Sequence, residues 1–339
     1  MTHDLLLRAR HIRWRLMRLL DDAHATRAAA EDVRGALPGL AAGVRDAERS
    51  RVAQADAFSR IQAELQTSRA SLGELRAAVE RLEEQTCRQG RVLELLYEED
   101  GENERRLNAL RGSDSYAAPF LEDEPLVSVI IPTYRAFERL LERAIPSVLA
   151  QTYSNLEIVV VGDGAPEQTG QLISDLDDSR VRYENLTVRP PYPDDPVEFW
   201  YVAGTTAWNH AWRLARGHWI APLNDDDAFR PEHIEVLVDE ARGKRCEVAY
   251  GAIEHRRPDA PNEVVNSWPP ESHRFGWQAA VIHAGLRFMG MQHGAGALGV
   301  PGDWSLCRRM RRAGVRFTCI EDVVVDYYPS GAWSPERFG

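Results

Sequence analysis

The feature that most constrains this chain is a change in the period of its apolar residues at Leu126. From there on, apolar residues come as short continuous runs rich in β-branched types, Leu126 to Ile131 and Leu156 to Val161. A strand buried on both faces of a parallel sheet has this pattern, because neither face can carry polar side chains. Val181 to Tyr183 and His218 to Leu223 read as two further strands. Helix-like segments lie between them: Phe137 to Ala150, Glu167 to Leu176, and Thr206 to Arg216 with Gly217 as its stop. The alternation of strand and helix predicts an α/β domain over 126–339, with a mostly parallel sheet flanked by helices.

Upstream the period is that of a helix. Phe58, Ile61, Leu65, Leu72, Leu75, Val79 and Leu82 follow alternating three- and four-residue steps, with Ser68 at the one polar seam position. This is a heptad repeat. Glu, Arg and Gln fill the other positions, and Pro38 is the only proline in residues 1–112. The region is therefore expected to be an all-α coiled-coil segment, its stripe covered either by a homo-oligomer or by an intrachain hairpin. At the extreme N-terminus Leu5, Ala9, Ile12, Leu16 and Leu19 form one helical face, with Arg8, Arg10, Arg13, Arg15 and Arg18 around it. Such a basic amphipathic helix suits an anionic membrane surface or an acidic helical neighbour. Gly112 to Ser115 and the acidic Glu122 to Pro125 are rich in turn formers, which predicts a linker over 113–125.

The chain has 339 residues and a formal charge of −11, so it lacks the basic surface that accumulates on nucleic acid, and none is expected as a partner. Cys87, Cys246, Cys307 and Cys319 are scattered without a C-x-x-C pair, which suggests neither a zinc knuckle nor a disulfide framework. No apolar run approaches the roughly 18 residues that span a bilayer. The N-terminus lacks the uncharged core of a secretory signal. The expected location is the cytoplasm, with peripheral association at the inner face of the cell membrane if the basic helix binds lipid.

Chemistry is to be sought at the carboxyl ends of the strands, where loops converge in sheets of this kind. Pro132-Thr133-Tyr134 follows the first run, Gly162-Asp163-Gly164 the second, and Asn224-Asp225-Asp226-Asp227 the run His218 to Leu223. Adjacent carboxylates raise each other's pKa unless a cation neutralises them. Mg²⁺ or Mn²⁺ held by one or two carboxylates completes its shell with water and substrate phosphates, so the acidic loop suggests a diphosphate-bearing ligand. A solvated acidic turn before a helix near Pro231 gives the same letters. Asp163 suits a nucleobase N–H or an ordinary Asp-Gly turn, and Tyr134 suits base stacking or core packing.

Taken together with Ser147 to Tyr153 and Asn209 to Gly217, these segments stand in an order and spacing that resembles the family-2 glycosyltransferases of the GT-A fold. The resemblance runs from about Leu126 to Tyr328. It implies transfer of a sugar from a nucleoside diphosphate, usually with a divalent cation, to a hydroxyl of a glycan or lipid-linked glycan acceptor. By position it implies a nucleoside pocket of Pro132, Thr133, Tyr134 and Asp163, with Asp163 facing a uracil-type base edge. It also implies Asn209 at the border of nucleotide and sugar, Asp225 toward the ribose or assisting the metal, and Asp226 with Asp227 toward the metal. Two positions depart from the family pattern: Gly162 where many members have a first Asp, and Asn224 for the first acid of D-x-D.

On the acceptor side Gly302-Asp303-Trp304 resembles the acidic pair that opens a helix in the family, which makes Asp303 the candidate general base for an inverting displacement. Asp303 as a helix cap is the plainer alternative. His283 and His293 stand outside the expected site, Trp268 and Trp277 suit either sugar stacking or packing, and Tyr327 and Tyr328 lie where some relatives place a metal-binding histidine. A nucleotidyltransferase would need a Gly-rich basic loop after the first strand, which Pro132 to Phe137 does not resemble. A coiled-coil scaffold with a degenerate sugar-nucleotide site is the non-enzymatic alternative.

Overall fold

The computed structural model describes residues 47–297 and 299–329, with scattered helical positions between 13 and 32. The chain divides into two compact units, Met1–Gly90 and Arg91–Gly339. In the first, most of the basic amphipathic segment, including Leu5, Ala9, Ile12 and Leu16, lies outside the described residues, while Leu19 is helical and exposed. The heptad region forms helix α1 (Ala47–Arg111), whose residues beyond Gly90 belong to the second unit. Four residues of its seam, Phe58, Leu65, Leu72 and Leu82, are exposed.

The second unit is α/β, as its alternating pattern requires. After α2 (Asp114–Leu121) come β1 (Val127–Thr133) and the helical segment α3, in which Phe137–Arg139 and Ile145–Leu149 flank a π-helical turn, Leu140–Ala144. β2 (Leu156–Gly162), α4 (Glu167–Ser174), β3 (Val181–Asn185), α5 (Pro196–Val202), α6 (Thr205–Leu214) and β4 (Trp219–Pro222) complete the first half. β5 (Ala228–Phe229), α7 (His233–Lys244), β6 (Val248–His255), β7 (Glu263–Val265), β8 (Ala280–His283), α8 (Gly294–Ala297), α9 (Gly302–Arg312) and β9 (Phe317–Tyr327) follow.

The nine-stranded sheet runs β3-β2-β1-β4-β8-β6-β9-β5, with β7 beside β6. Its first four strands are parallel. β8 is antiparallel to both β4 and β6, whereas β9 runs parallel to β6. Successive residues of a strand point to opposite faces. Val127, Val129 and Ile131 therefore join one core with Leu140, Ala144 and Val148 of α3, while Ile130 joins the other with Ala207, Trp208, Ala211 and Trp212 of α6. Both faces are covered, which is why β1 and β2 contain so few polar residues.

The stretch expected as a linker is instead partly helical and packed. Tyr116, Pro119 and Phe120 of α2 are buried, and Phe120 meets Trp219 edge-on with ring centroids 5.5 Å apart. Turn formers at both ends hide a helix of only eight residues.

Candidate active site

The register of β1 and β2 pairs Thr133 with Gly162, and the Asp163 N–H donates to Thr133 O at 2.7 Å. On the other side Ile130 pairs with Pro222, so the chain leaves β4 three residues before β1 ends, and Asp225 reaches Thr133. The three polar strand ends thus converge on a cavity of about 620 Å³. Pro132, Thr133, Tyr134, Asp163, Asp225 and Asp226 all line it. Asn209, Asp227 and Asp303 do not belong to its lining.

Asp163 is almost fully buried. Its Oδ2 accepts from the Tyr192 hydroxyl at 2.6 Å and from Arg189 Nε at 3.4 Å, while its buried Oδ1 has no hydrogen-bond partner. A buried acceptor left unpaired costs about 1–3 kcal/mol, more when charged, which a ligand N–H would return. The Arg189 guanidinium lies over the Tyr134 ring at 3.9 Å and the Tyr192 ring at 4.8 Å, giving the cavity a cationic and aromatic wall. The flanking glycines have steric causes. A Cβ on Gly162 would stand 2.4 Å from Asn185 Oδ1 and 2.7 Å from the Tyr183 hydroxyl. Asn185 in turn bridges the backbone N and O of Ala165 at 2.9 and 2.8 Å, so an acid at 162 has no room. Gly164 has φ +66°, a left-handed conformation that favours glycine, and its Cβ would press on Arg189.

The three aspartates after β4 divide. Asp225 Oδ2 accepts from Thr133 Oγ1 at 2.7 Å, and burial lifts the Asp225 carboxyl to about 6. Burial also raises Asp226, against the lowering influence of Arg139 and Arg143. Arg139 approaches its Oδ2 at 3.7 Å, and Arg143 donates to its backbone O at 2.6 Å. Asp227, by contrast, is fully buried, its Oδ2 taken by Asn224 Nδ2 at 2.7 Å and its Oδ1 by the Tyr328 N–H at 2.9 Å. It fastens the acidic loop to the end of β9. Asp227, expected beside Asp226 at the metal, thus has a partner inside the protein on each oxygen and lies outside the cavity lining.

Asn209 is also otherwise engaged. Its Oδ1 accepts from the Met291 N–H at 2.9 Å and its Nδ2 donates to Met291 O at 2.8 Å, so it clasps the loop after β8 instead of reaching the cavity. Asp303 sits in the first turn of α9, one residue inside its start. Its Oδ1 accepts from the Trp304 N–H at 2.6 Å, and its backbone O accepts from buried Trp277 Nε1 at 2.9 Å. Solvent reaches the Asp303 side chain, yet the surrounding protein desolvates it enough to raise its carboxyl above the ordinary value. His283 is buried between the Gly285 N–H and Tyr116 O, a structural setting, and His293 pairs with Thr206 at 2.9 Å. Trp268 remains exposed.

Sequence reasoning missed Arg135, Arg139, Arg189 and Phe199, which also line the cavity. Arg189 and Tyr192 flank Pro190 and Pro191 in the connection after β3, a position from which a loop can fold over the end of β2. Arg139 and Arg143 are one turn apart on the helix that follows β1, the signal of two cations on one face. The Ile145 N–H bonds Leu140 O within that segment, a π-type bond next to Pro146, which has no N–H of its own to give.

Residues 128–189 and 203–300 match the family described as glycosyl transferase family 2. Among curated proteins, a putative colanic acid biosynthesis glycosyl transferase, WcaA of Escherichia coli K12, is 31% identical over 120 residues, 35% of this chain and 38% of its own. The E. coli UDP-Glc:alpha-D-GlcNAc-diphosphoundecaprenol beta-1,3-glucosyltransferase WfgD is 32% identical over 133 residues, 39% of this chain and 47% of its own. The chain thus spans less than half the length of either relative. Among solved structures, S. aureus TarS 1-349 in complex with UDP aligns at 15% identity with a TM-score of 0.48, covering 62% of each chain. Residues 128–189 and 203–300, which carry the three polar strand ends, belong to glycosyltransferase family 2.

Proposed function

We propose that this protein is a metal-dependent, inverting glycosyltransferase that moves a sugar from a UDP-type donor to a hydroxyl of a saccharide or lipid-linked glycan. The observation that carries the reading is the buried, unpartnered Oδ1 of Asp163 beneath the Tyr134 and Arg189 wall of the cavity. An N–H on a base edge satisfies that oxygen while the base stacks beside Tyr134. The relative WfgD, named as a UDP-Glc:alpha-D-GlcNAc-diphosphoundecaprenol glucosyltransferase, supports the same donor and acceptor classes.

A divalent cation fits the acidic loop. Among the described residues no three His, Cys, Asp or Glu side chains gather as a complete ligand set. Asp226, raised by desolvation, supplies one cavity-lining carboxylate, with Asp225 beside it. That suits an ion completed by diphosphate oxygens and water. Bound there, the ion supplies charge neutralisation for the departing diphosphate. Arg139 and Arg189 add positive charge to the same wall. Asp303 takes the acceptor hydroxyl's proton as its oxygen forms the bond to the anomeric carbon. The bond from that carbon to the diphosphate oxygen breaks with its electron pair, and the configuration inverts. The raised pKa of Asp303 makes it a stronger base than an ordinary carboxylate.

Calorimetric titration of a panel of UDP-, GDP- and dTDP-sugars, with and without Mn²⁺, tests this reading. Metal-dependent binding of a UDP-sugar, lost in Asp226→Ala, is the expected result. Failure of the whole panel to bind would favour a scaffold protein.

A further inference from the structure

The last turns of α1 precede the residues matched by the family, yet they are built into the second unit. Leu107 is fully buried there and Asn103 nearly so. One turn before Asn103, Glu99 holds two separate elements. Its Oε1 accepts from Arg309 Nη1 of α9 at 2.7 Å, and its Oε2 accepts from Gln292 Nε2 in the loop after β8. Arg309 is almost wholly buried and reaches the same loop through Gly290 O. Asp100 adds a second tie to α9 through Arg312 at 2.7 Å.

Both elements flank Asp303. α9 carries it in its first turn, and the residue before it, Gly302, packs so closely that an added Cβ would stand 3.1 Å from Tyr201 O and 3.9 Å from Gln292 O. On its far side the loop is clasped by Asn209 of α6 through both hydrogen bonds to Met291. The loop is therefore gripped between α1 and α6, and the start of α9 rests against it.

We infer that Glu99 is a positioning residue for Asp303, fixing at one point the helix that carries the candidate base and the loop against which that helix starts. The inference rests on the reading of Asp303 as the base. Glu99 touches no reacting atom. It acts by keeping α9 and the loop Gly290 to Gln292 in one geometry, so that the Asp303 carboxylate stands where the attacking hydroxyl, or water in its absence, gives up its proton. Loss of such support is costly, since a misplacement of about 1 Å removes on the order of 10²-fold in rate.

The test uses the full chain and the tightest-binding sugar donor of the panel above. Donor affinity by calorimetry, the kcat of nucleotide release with Mn²⁺, and thermal melting are measured for wild type, Glu99→Ala, Glu99→Gln and Gln292→Ala. Well below the melting transition, Glu99→Ala is expected to lower kcat by roughly 10- to 100-fold while donor affinity stays unchanged. Glu99→Gln keeps one carbonyl acceptor for Arg309 and restores part of the rate. Gln292→Ala leaves the buried Glu99–Arg309 pair intact and gives a smaller fall of the same kind, which keeps the test decisive if Glu99→Ala does not fold. Unchanged kcat in folded Glu99→Ala, or in Gln292→Ala where Glu99→Ala fails to fold, overturns the positioning role. A wild-type chain that binds no donor overturns the transferase reading itself, and the positioning role with it.

Discussion

Three aspartates in a row carry three different burdens. Asp227 is tied by Asn224 and Tyr328 outside the cavity lining, Asp225 lines the cavity with one oxygen held by Thr133, and Asp226 lines it with Arg139 near its carboxylate. Adjacent side chains on a turn point in different directions, so the letters Asp-Asp-Asp could not say which one meets a ligand. Asp226→Ala is therefore expected to abolish metal-linked donor binding with little loss of stability. Asp227→Ala leaves the part-buried Tyr328 N–H without its acceptor and frees the loop from the end of β9, which lowers stability by about 1–3 kcal/mol. Parallel melts and metal titrations check this pair, and equal metal binding by wild type and Asp226→Ala would contradict the assignment. Asp303 gives the pH dependence. Its raised pKa keeps it protonated, and so useless as a base, to a higher pH than an ordinary carboxyl. The rate of nucleotide release should accordingly rise with pH along an acid limb displaced upward from the normal carboxylate range.

At the scale of elements, legibility followed the number of faces buried. β1 and β2, covered on both sides, declare themselves as continuous apolar runs, and α6 shows its buried Ala207, Trp208, Ala211 and Trp212 at helical spacing. The helix α2 looks like linker in the sequence because eight residues offer too few turns for a period to stand out. The second half of the sheet was scarcely legible. There β9 pairs with β6 through register shifts near Ala252, a long-range irregularity that no local pattern records. The buried Glu247, just before β6, is another such feature. Burial alone would raise its carboxyl, but hydrogen bonds from Arg111, Arg316 and Tyr116 hold it down to about 2. It binds the end of α1, α2 and the start of β9 together, with Arg111 Nε at 2.9 Å and the Arg316 N–H at 2.7 Å. Because its folded pKa is depressed, its stabilisation is present above the ordinary glutamate pKa of 4.5 and is lost as pH falls through about 2. Glu247→Ala should cost about 1–3 kcal/mol at neutral pH, read from denaturant midpoints, because it takes the acceptor from the part-buried Arg111 and the buried Tyr116 hydroxyl, while Arg316, 47% exposed, turns to water. A loss within 1 kcal/mol, on the order of an exposed ion pair, would show that the network is ornamental to stability.

For the whole molecule the site was the most readable part and its surroundings the least. The convergence of Tyr134, Asp163 and Asp226 followed from strand order, since parallel strands bring their carboxyl ends to one edge. Arg189 and Tyr192 could not be placed in advance, because where a proline-rich loop folds is fixed by tertiary packing. In the first unit the seam residues Phe58, Leu65, Leu72 and Leu82 remain 39–50% exposed, a stripe that a second copy of the helix would cover. Sedimentation is expected to report an oligomer that Leu65→Asp with Leu72→Asp dissociates, and a wild-type chain that sediments as a monomer at all concentrations would contradict that reading. The central claim is that the strand-end cavity and Asp303 make this an enzyme. It is tested most directly by nucleotide release from a UDP-sugar with Mn²⁺, comparing wild type with Asp303→Asn. The account predicts release by wild type, a fall of about 10²–10⁴-fold in Asp303→Asn, and the same donor affinity in both. Equal release by the two proteins would contradict Asp303 as the base, and donor binding without release by wild type would contradict the enzyme.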